Sequence, residues 1–469
     1  MDVFSTVLAL CFLMAVAYRG YSVILFAPVA AMLAVVLQDP GLLPPMFSGV
    51  FMEKLVGFLK PYFPVFLLGA IFGKLIELSG FARAITERVT HILGARNAIL
   101  AVVTVCALLT YGGVSLFVAA FAVYPFAAEL FRAARIPKRL IPGTIALGSF
   151  TFTMDALPGS PQIQNIIPTT FFHTTTWAAP KLGVVGALFV LGVGLLYLDR
   201  RRRQAAQAGE EYGEETSPIP IPVPGPVQPL GTLPSPLLAF LPLLLVGVLN
   251  LVLTRAIPGM YPQSFDFAQA GVPGIPPLET SKLFALWAVE GALLAGILCI
   301  VLFALRRIRP QLASGTSLAI GGALLASFNT ASEYGFGGVI AALPGFRVLS
   351  EALSHTIANP LLSAAVTTTV LAGVTGSASG GMSIVLAAMG GQYLSQAAAQ
   401  GIPPEVLHRV TAMASGGMDT LPHNGAVITL LAVTALTHRQ SYRDIFAMTL
   451  IKTAAVFVVI AFYYLTRIY

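Results

Sequence analysis

The sequence predicts an all-α polytopic membrane protein with two inverted-topology repeats, each containing a re-entrant hairpin and a broken transmembrane helix. Three observations lead to this fold class. First, 56% of the residues are hydrophobic and only 10% are charged, with a mean hydropathy of +0.83, whereas soluble domains carry about 25% charged residues. Second, residues 154–158 read Met-Asp-Ala-Leu-Pro and residues 418–422 read Met-Asp-Thr-Leu-Pro. Third, each string interrupts an apolar run long enough to cross a bilayer.

The apolar runs give the order of the elements, since a transmembrane helix needs about 20 apolar residues. The first half supplies Val3–Ala17, Tyr21–Leu37, Pro64–Leu78, Ala98–Leu130, Leu140–Phe172 and Leu182–Leu198. The second half supplies Leu237–Leu253, Leu283–Leu305, Ser317–Leu343, Leu361–Ala399, Val406–Leu436 and Ile445–Leu465. The fourth run of each half is too long for one crossing and has a centre rich in Gly and Ser. We predict that each of these two runs forms a re-entrant hairpin.

The two halves match at further positions. Gly-Gly-Val-Ser-Leu at 112–116 corresponds to Gly-Gly-Met-Ser-Ile at 380–384, and an Ile-Pro pair follows each hairpin. Landmarks in the same order at nearly one spacing indicate an internal repeat. We therefore divide the chain into a first repeat (1–198), a linker (199–235) and a second repeat (236–469). The linker begins with arginines and ends in alternating prolines, a composition typical of an extended tether.

The positive charges predict the orientation in the membrane. If the first hairpin re-enters, most arginine-rich loops fall on one side, and the opposite side keeps few positive residues, such as Lys54, Lys60, Arg255 and Arg409. Loops rich in Lys and Arg stay in the cytoplasm. We therefore expect a bacterial inner-membrane protein with a cytoplasmic linker and both termini external. The net charge of +7 belongs to these loops, so we predict membrane lipid and not nucleic acid as a partner.

The first interrupted segment, residues 151–165, concentrates polar groups around two prolines and a glycine. Unpaired backbone in hydrocarbon costs several kcal/mol, so such a break survives where it lines a cavity. Matched breaks in two halves indicate the substrate site of a secondary transporter. The alternative is a simple kink whose polar groups bond to neighbouring helices. The candidate binding residues in this break are Thr153, Asp155, Ser160, Gln162 and Asn165.

The second break offers Asp419, Thr420, His423 and Asn424 as candidate binding residues. Acids and histidines inside a membrane usually mark ion or proton paths. We expect Asp155 and Asp419 to couple transport to H⁺ or Na⁺, with a candidate Na⁺ position near these two acids, and we predict no other cofactor. His423 either titrates near neutral pH or only donates and accepts hydrogen bonds. No arginine is predicted to clamp a substrate carboxylate in either break.

The hairpin tips add a second group of candidates. Glycine lets backbone N–H groups approach a ligand, and serine adds a hydroxyl donor. The alternative for these small residues is close packing between helices. In another apolar run, Glu333 either faces the cavity or bonds to another helix. The candidate tip residues are Gly112, Gly113 and Ser115 in the first hairpin and Ser377, Ser379, Gly380 and Gly381 in the second.

Residues 72–80 read Phe-Gly-Lys-Leu-Ile-Glu-Leu-Ser-Gly. This string, a long hairpin and a Leu-Pro-centred break together resemble the gluconate permease family of the ion transporter superfamily. The resemblance implies an inverted-repeat homodimer with hairpin tips and broken helices at the substrate site and an elevator-like movement. That family carries a Pro-Pro-His-Pro-Gly type string in the first break, where residues 157–162 here read Leu-Pro-Gly-Ser-Pro-Gln. This variant is similar to members associated with 3-hydroxybutyrate.

We therefore expect a symporter of a small organic anion, namely a hydroxy-monocarboxylate such as 3-hydroxybutyrate or gluconate. The alternatives are an uncoupled organic-anion exporter or channel and a citrate or dicarboxylate carrier. An enzyme is disfavoured, since the sequence contains no His-Glu-x-x-His metal motif and no Gly-x-Ser-x-Gly elbow. It also contains no Walker-type phosphate loop, so we do not expect ATP to drive transport.

Overall fold

The computed structural model describes residues 2–19, 21–114, 116–213, 233–346, 348, 357–422 and 424–469. The all-α prediction is confirmed over these residues, which form helices and loops with one isolated antiparallel bridge between Phe265 and Leu278. Five helical stretches in this described part are long and apolar enough to cross a membrane. The chain is therefore a polytopic membrane protein.

The described part of the first half contains ten α-helices of four or more residues, which we number in chain order. A 3₁₀ turn and a π-helical segment lead from Pro40 into the third of them without a break. The helices are α1 (Asp2–Tyr18), α2 (Val23–Val36), α3 (Met52–Leu78), α4 (Phe81–Leu93), α5 (Ala98–Tyr111), α6 (Leu116–Ala133), α7 (Ile141–Ser149), α8 (Phe152–Asp155), α9 (Ile163–Phe172) and α10 (Pro180–Gln207).

The second half repeats this order of long helices, hairpin and broken helix. Its helices are α11 (Pro236–Met260), α12 (Phe284–Ile308), α13 (Leu312–Ala342), α14 (Pro360–Thr375), α15 (Ala378–Ala399), α16 (Pro404–Gly416), α17 (Gly425–Val433) and α18 (His438–Thr466). A 3₁₀ turn, Gly417–Thr420, continues α16 toward the second break.

Each predicted hairpin is present as two packed helices joined by a short turn, α5 with α6 and α14 with α15. The first arm of the first hairpin has 14 residues. At 1.5 Å per residue it is about 21 Å long, which is shorter than the hydrocarbon core of about 30 Å. The chain turns back at Gly112 and Gly113, and Gly113 has a positive φ of 96° that favours glycine.

The two helix breaks follow from local sequence. In the first break, Pro158 and Pro161 stand between α8 and α9, where a proline removes a backbone donor and stops a helix. In the second break, Pro422 follows the 3₁₀ turn, and the side chain of Asn424 then accepts a hydrogen bond from the Ala426 N–H at 2.7 Å to begin α17. Both interruptions therefore lie where the sequence predicts them.

The buried acid Asp444, near the N-terminus of α18, links this helix to the C-terminal part of α10. Its carboxylate accepts hydrogen bonds from Arg201 at 2.7 Å, from the Tyr197 hydroxyl at 2.8 Å and from Arg139 at 3.3 Å. Arginines from two loops that we expected on one side therefore meet on one face of the protein. Helix α10 continues through residue 207, so the first part of the predicted linker is helical and not extended. Its proline-rich part, 214–232, lies outside the described residues.

Candidate functional site

The first break is held in shape by its own polar side chains. The Thr153 hydroxyl donates to the carbonyl of Gly148 at 2.9 Å, and the Ser160 hydroxyl donates to the carbonyl of Thr153 at 2.6 Å. Both residues are fully buried. These hydroxyls satisfy backbone carbonyls that the break leaves without a helical partner, which is their role in this conformation.

Arg409 lies at the centre of the first break, although it belongs to α16 of the second half. Its guanidinium donates five hydrogen bonds: to the carbonyls of Asp155, Thr176 and Ala178, the last one twice, and to the side-chain oxygen of Asn165. The side chain is completely buried. An arginine has five N–H donors, so all of them are used within the protein.

The placement of Arg409 corrects one sequence expectation. The sequence assigned it to the side of the membrane that keeps few positive residues, yet it is buried and reaches the first break from another helix. That no arginine clamps a substrate carboxylate stays a prediction. Asn165 is also fully engaged, because its amide donates to the carbonyls of Ser160 and Thr176 at 2.9 Å each. Asn165 and Arg409 therefore stabilise the backbone of the first break by hydrogen bonds in this conformation.

Asp155 forms an ion pair with Lys452 of α18. The ammonium lies 2.5 Å from Oδ2 and also donates to the carbonyl of Phe150 at 3.2 Å. Both side chains are buried, with exposed fractions of 1% for Asp155 and 2% for Lys452. A Cβ atom at Gly416 would overlap both charged groups, so glycine gives the pair its space. Asp155 thus has a protein counter-ion, and a bound Na⁺ is not needed to neutralise it.

The first hairpin tip packs on apolar helices. Added Cβ atoms at its two glycines would meet Leu243 of α11 at Gly112, and Leu293 of α12 and Phe72 of α3 at Gly113. Gly112, Gly113 and Val114 are buried. Close packing and the positive φ of Gly113 explain these glycines, which is the alternative considered from the sequence.

Three hydrogen bonds join the first tip to the first break. The half-buried Gln162 side chain donates to the carbonyls of Thr110 at 2.7 Å and Val114 at 3.4 Å, and the Tyr111 hydroxyl donates to the carbonyl of Pro158 at 2.8 Å. The predicted proximity of this tip to this break is therefore observed. The bonds run to backbone carbonyls, so the tip and the break form one connected unit.

Asp419 is the junction of the second break, the second tip and the first break. Its Oδ1 accepts from the backbone N–H of Ala378 at 3.0 Å and from the Asn424 amide at 3.3 Å, and its Oδ2 accepts from the Gln164 amide at 3.0 Å. Asn424 also donates to the carbonyl of Gly376 at 2.7 Å. These direct partners are neutral N–H donors. Since N–H groups do not ligate a cation, this set does not fit Na⁺.

The second tip presents the N-terminus of α15. Ser377 caps this helix by accepting the Gly380 N–H at 3.1 Å, and the Ser379 hydroxyl lies 3.2 Å from the Thr330 hydroxyl of α13. Ser377 and Ser379 are only half-buried. A Cβ atom at Gly381 would overlap the backbone of α14, so that glycine permits close packing of the two hairpin arms.

Glu333 of α13 points at the first turn of α15. A Cβ atom at Gly380 would overlap its carboxylate. The Glu333 side chain is buried, and its Oε2 atom has no hydrogen-bond partner in the described part of the chain. The sequence left two interpretations open for Glu333: that it faces the cavity or that it bonds to another helix. The structure shows no hydrogen bond from Oε2 to a described residue of another helix.

The remaining candidates divide into one structural residue and two that cannot be placed. The Thr420 hydroxyl lies 2.6 Å from the Thr449 hydroxyl of α18 and donates to the carbonyl of Gly417, so it fastens the 3₁₀ turn. Ser115 and His423 lie outside the described residues.

The sequence analysis missed Arg409 and Lys452, the buried cations that contact the first break, although the sequence contained a signal for Lys452. Lys452 is a single lysine inside the run Ile445–Leu465, and an ionisable residue at that depth usually has a function or a partner. Arg409 was obscured because it lies near the start of its apolar run, close to a predicted loop. Lys452 pairs with Asp155, and Arg409 bonds to the backbone of the first break. Both partners are more than 200 positions away in sequence.

No protein-family model matches this chain. Over 469 residues the chain is 59% identical to a protein of Bacillus subtilis (strain 168) described as "Uncharacterized transporter YxjC", and the alignment covers 99% of each protein. Among solved structures, the chain is similar to the crystal structure of the Alcanivorax borkumensis YdaH transporter, described as having an unusual topology. That match covers 90% of this chain and 88% of the other, with 15% identity and a TM-score of 0.48.

Proposed function

This chain belongs to the same family as the uncharacterized transporter YxjC, and from that premise we propose that it is a secondary active symporter of a small organic anion. It is a membrane transporter and not an enzyme. The proposed substrate is a hydroxy-monocarboxylate such as 3-hydroxybutyrate or gluconate, in keeping with the resemblance to the gluconate permease family. The proposed driving force is an ion gradient.

The observation that carries this proposal is the junction at Asp419. One carboxylate is bonded to a hairpin tip through Ala378, to its own break through Asn424 and to the first break through Gln164. A ligand that changes the charge or the contacts at this junction acts on both halves of the protein at once. Coupled transport needs such a connection, because binding and movement must bias the same conformational equilibrium.

The chemistry near the second tip favours a single substrate carboxylate. The N-terminus of a helix attracts an anion through its dipole, and α15 presents the half-buried hydroxyls of Ser377 and Ser379 at that end. The buried cations are already engaged, since Arg409 bonds the first break and Lys452 pairs with Asp155. A citrate or dicarboxylate would lack further positive partners there, which disfavours that alternative.

The two acids near this helix end favour coupling over passive conduction. Asp419 and Glu333 both lie at the first turn of α15, where a substrate anion meets their repulsion. The repulsion disappears when a cation or proton binds with the substrate. An uncoupled exporter or channel gains nothing from acids in that position, so it is the second candidate.

The arrangement in the membrane completes the proposal. Arg139 and Arg201 meet at Asp444 on one face of the protein, which supports a common arginine-rich side that we propose to be cytoplasmic. A homodimer, an elevator-like movement and location in a bacterial inner membrane are proposed from the family resemblance and from this charge distribution.

Transport into proteoliposomes tests the proposal. Labelled 3-hydroxybutyrate, gluconate and citrate are offered to the purified, reconstituted protein under an imposed pH gradient or Na⁺ gradient. We expect a hydroxy-monocarboxylate to accumulate above its external concentration and an ionophore to abolish the accumulation. Counterflow of labelled substrate against unlabelled substrate identifies a carrier. Equilibration without accumulation or counterflow would establish the channel instead.

A matched pair of serines on α15 controls for the proposed anion position. Ser379→Ala removes a half-buried hydroxyl at the helix N-terminus, whereas Ser395→Ala removes an exposed hydroxyl near the other end of the same helix. We expect the first variant to raise the substrate KM several-fold and the second to leave it unchanged. Equal effects would place the substrate elsewhere.

A further inference from the structure

Glu333 is a buried acid whose charge has no direct partner in the described structure. Its side chain is 2% exposed, and its Oε2 atom makes no hydrogen bond to the described residues. Burying an unpaired carboxylate is costly, so such a group is neutralised by a proton or by a bound cation. The carboxyl group faces the first turn of α15, where Gly380 leaves it room.

Asp419 reaches the same helix turn from the second break. Its Oδ1 accepts the N–H of Ala378, two positions before Gly380. The two carboxyl groups repel each other electrostatically. Asp419 is stabilised as an anion by three N–H donors, whereas Oε2 of Glu333 has none. Of the two acids, Glu333 is therefore the one that takes up the proton.

No ionisable side chain in the described part of the chain forms a hydrogen bond with Oε2 of Glu333. Of the helices packed on α13, α2 carries no ionisable side chain, and α15 carries only Tyr393, more than three turns beyond Gly380. Helix α3 places Lys54 against Gly338 and Lys74 against Gly315, each more than one turn from Glu333. The other ionisable residues of α3 are Glu53, Lys60, Tyr62 and Glu77. The next residue, Tyr334, packs against the rings of Phe58 and Phe171.

We propose that Glu333 and Asp419 form a one-proton site at the N-terminus of α15, with the proton carried on Glu333, and that this proton is the coupling ion. The inference rests on the proposed symport function and identifies its ion and its residue. When Glu333 is protonated, one negative charge fewer opposes the positive end of the α15 dipole, and the Ser377 and Ser379 hydroxyls can turn their protons toward a substrate carboxylate. When the proton leaves Oε2 for water, the negative Glu333 carboxylate offsets the positive potential at the N-terminus of α15 and repels the substrate carboxylate.

The donor set favours a proton over Na⁺. Asp419 is surrounded by N–H groups, and the Thr330 and Ser379 hydroxyls already lie within hydrogen-bonding distance of each other. A proton needs one free carboxylate oxygen, which Glu333 supplies, whereas Na⁺ needs several converging oxygens. Dependence of substrate affinity on Na⁺ and not on pH would overturn the assignment.

The test measures the affinity of the purified full-length protein for 3-hydroxybutyrate as a function of pH. Linkage of one proton to one anion makes the affinity about tenfold weaker per pH unit above the range in which the site titrates. Glu333→Gln carries a permanently neutral side chain of the same size, so we expect its affinity to be independent of pH. Glu290→Gln, on the half-buried α12 position, is the matched control and keeps the wild-type slope. A wild-type slope in Glu333→Gln would refute the proposal.

A second measurement does not depend on the choice of substrate. Infrared difference spectra of the substrate-free protein, titrated from acidic to alkaline pH, report buried protonated carboxyl groups. We expect a band that disappears in Glu333→Gln, shifts in Glu333→Asp and persists in Glu290→Gln. A band unchanged by Glu333→Gln would overturn the proton site even if the protein transports hydroxy acids. Conversely, a Glu333 band in a protein that accumulates no hydroxy acid would contradict the proposed function and leave the proton site established.

Discussion

The buried ion pair of Asp155 and Lys452 makes a quantitative prediction about stability. Lys452→Met keeps the length of the side chain but removes the charge and the two hydrogen bonds to Asp155 and to the carbonyl of Phe150. Asp155 then keeps a buried carboxylate whose Oδ1 already lacks a partner in the described structure. Breaking one side of a buried pair costs about 3–5 kcal/mol.

A double variant separates the interaction energy of the Asp155–Lys452 pair from the cost of leaving one buried charge without a partner. Asp155→Asn combined with Lys452→Met leaves no charge at the site, and neutral replacements of buried pairs are often close to neutral in stability. We therefore expect each single variant to lose about 3–5 kcal/mol and the double variant to lose much less than their sum. The resulting coupling energy should be several kcal/mol.

The protein offers a local fluorescence probe for this measurement. Of its two tryptophans, Trp177 lies against Gly159 in the first break, and Trp287 lies on α12. With Trp287 replaced by Phe, denaturation in detergent followed by fluorescence reports the first break. Single variants that cost under about 1 kcal/mol, with a double variant equal to their sum, would refute the ion pair.

A half-exposed ion pair on another helix serves as the control for the cycle. Lys74 and Glu77 of α3 are 2.7 Å apart, with exposed fractions of 15% and 39%. Since water screens such a pair, its coupling energy should be about 0.2–1 kcal/mol. Comparable coupling for both pairs would show that burial does not strengthen the interaction at Lys452.

Three further predictions follow from single contacts. Arg409→Met leaves buried oxygens of the first break without a hydrogen-bond donor. One such group costs about 1–3 kcal/mol, so the variant should be destabilised by at least that amount. Arg255→Met, at an exposed position, should change stability little in the same denaturation assay. Gly380→Ala places a methyl group in the carboxylate it faces and should reduce the transport rate at least tenfold, while Gly391→Ala, which meets open space on the same helix, should not. Glu210→Gln breaks a bidentate pair with an arginine at 2.6 Å. Hydrogen bonding to that arginine lowers the pKa of Glu210, so the stabilisation of about 0.2–1 kcal/mol is present above the unfolded pKa and lost as the pH falls through the folded pKa. Denaturation curves of wild type and variant should converge in acid.

Local signals account for what the sequence predicted. Prolines and an N-cap asparagine determine where the two broken helices stop and start, and glycines mark the hairpin turns; both kinds of signal act over a few residues. The charge partners were not predictable in this way. Arg409 reaches the Asp155 carbonyl, and Lys452 reaches the Asp155 carboxylate, across sequence separations of 254 and 297 residues. Such contacts depend on how the halves pack, which the periodicity of either half does not determine.

The internal repeat suggested equivalent roles for Asp155 and Asp419, but the helices that pack against these two acids are different. Asp155 and Asp419 occupy the same position of the repeated string, which predicts equivalent roles. The neighbouring helices differ, however: α18 supplies Lys452 to Asp155, whereas α13 supplies a second acid, Glu333, near Asp419. An acid with a cation at 2.5 Å is a fixed structural element, while two acids at one helix N-terminus change their interaction with each proton gained or lost. We therefore infer that the two repeats have different roles. The first break is held by Arg409 and Lys452, whereas the N-terminus of α15, beside the second break, is where Asp419 and Glu333 meet, and we propose that the charge of this pair changes during transport. This division explains how a symmetric sequence can produce one coupling site instead of two.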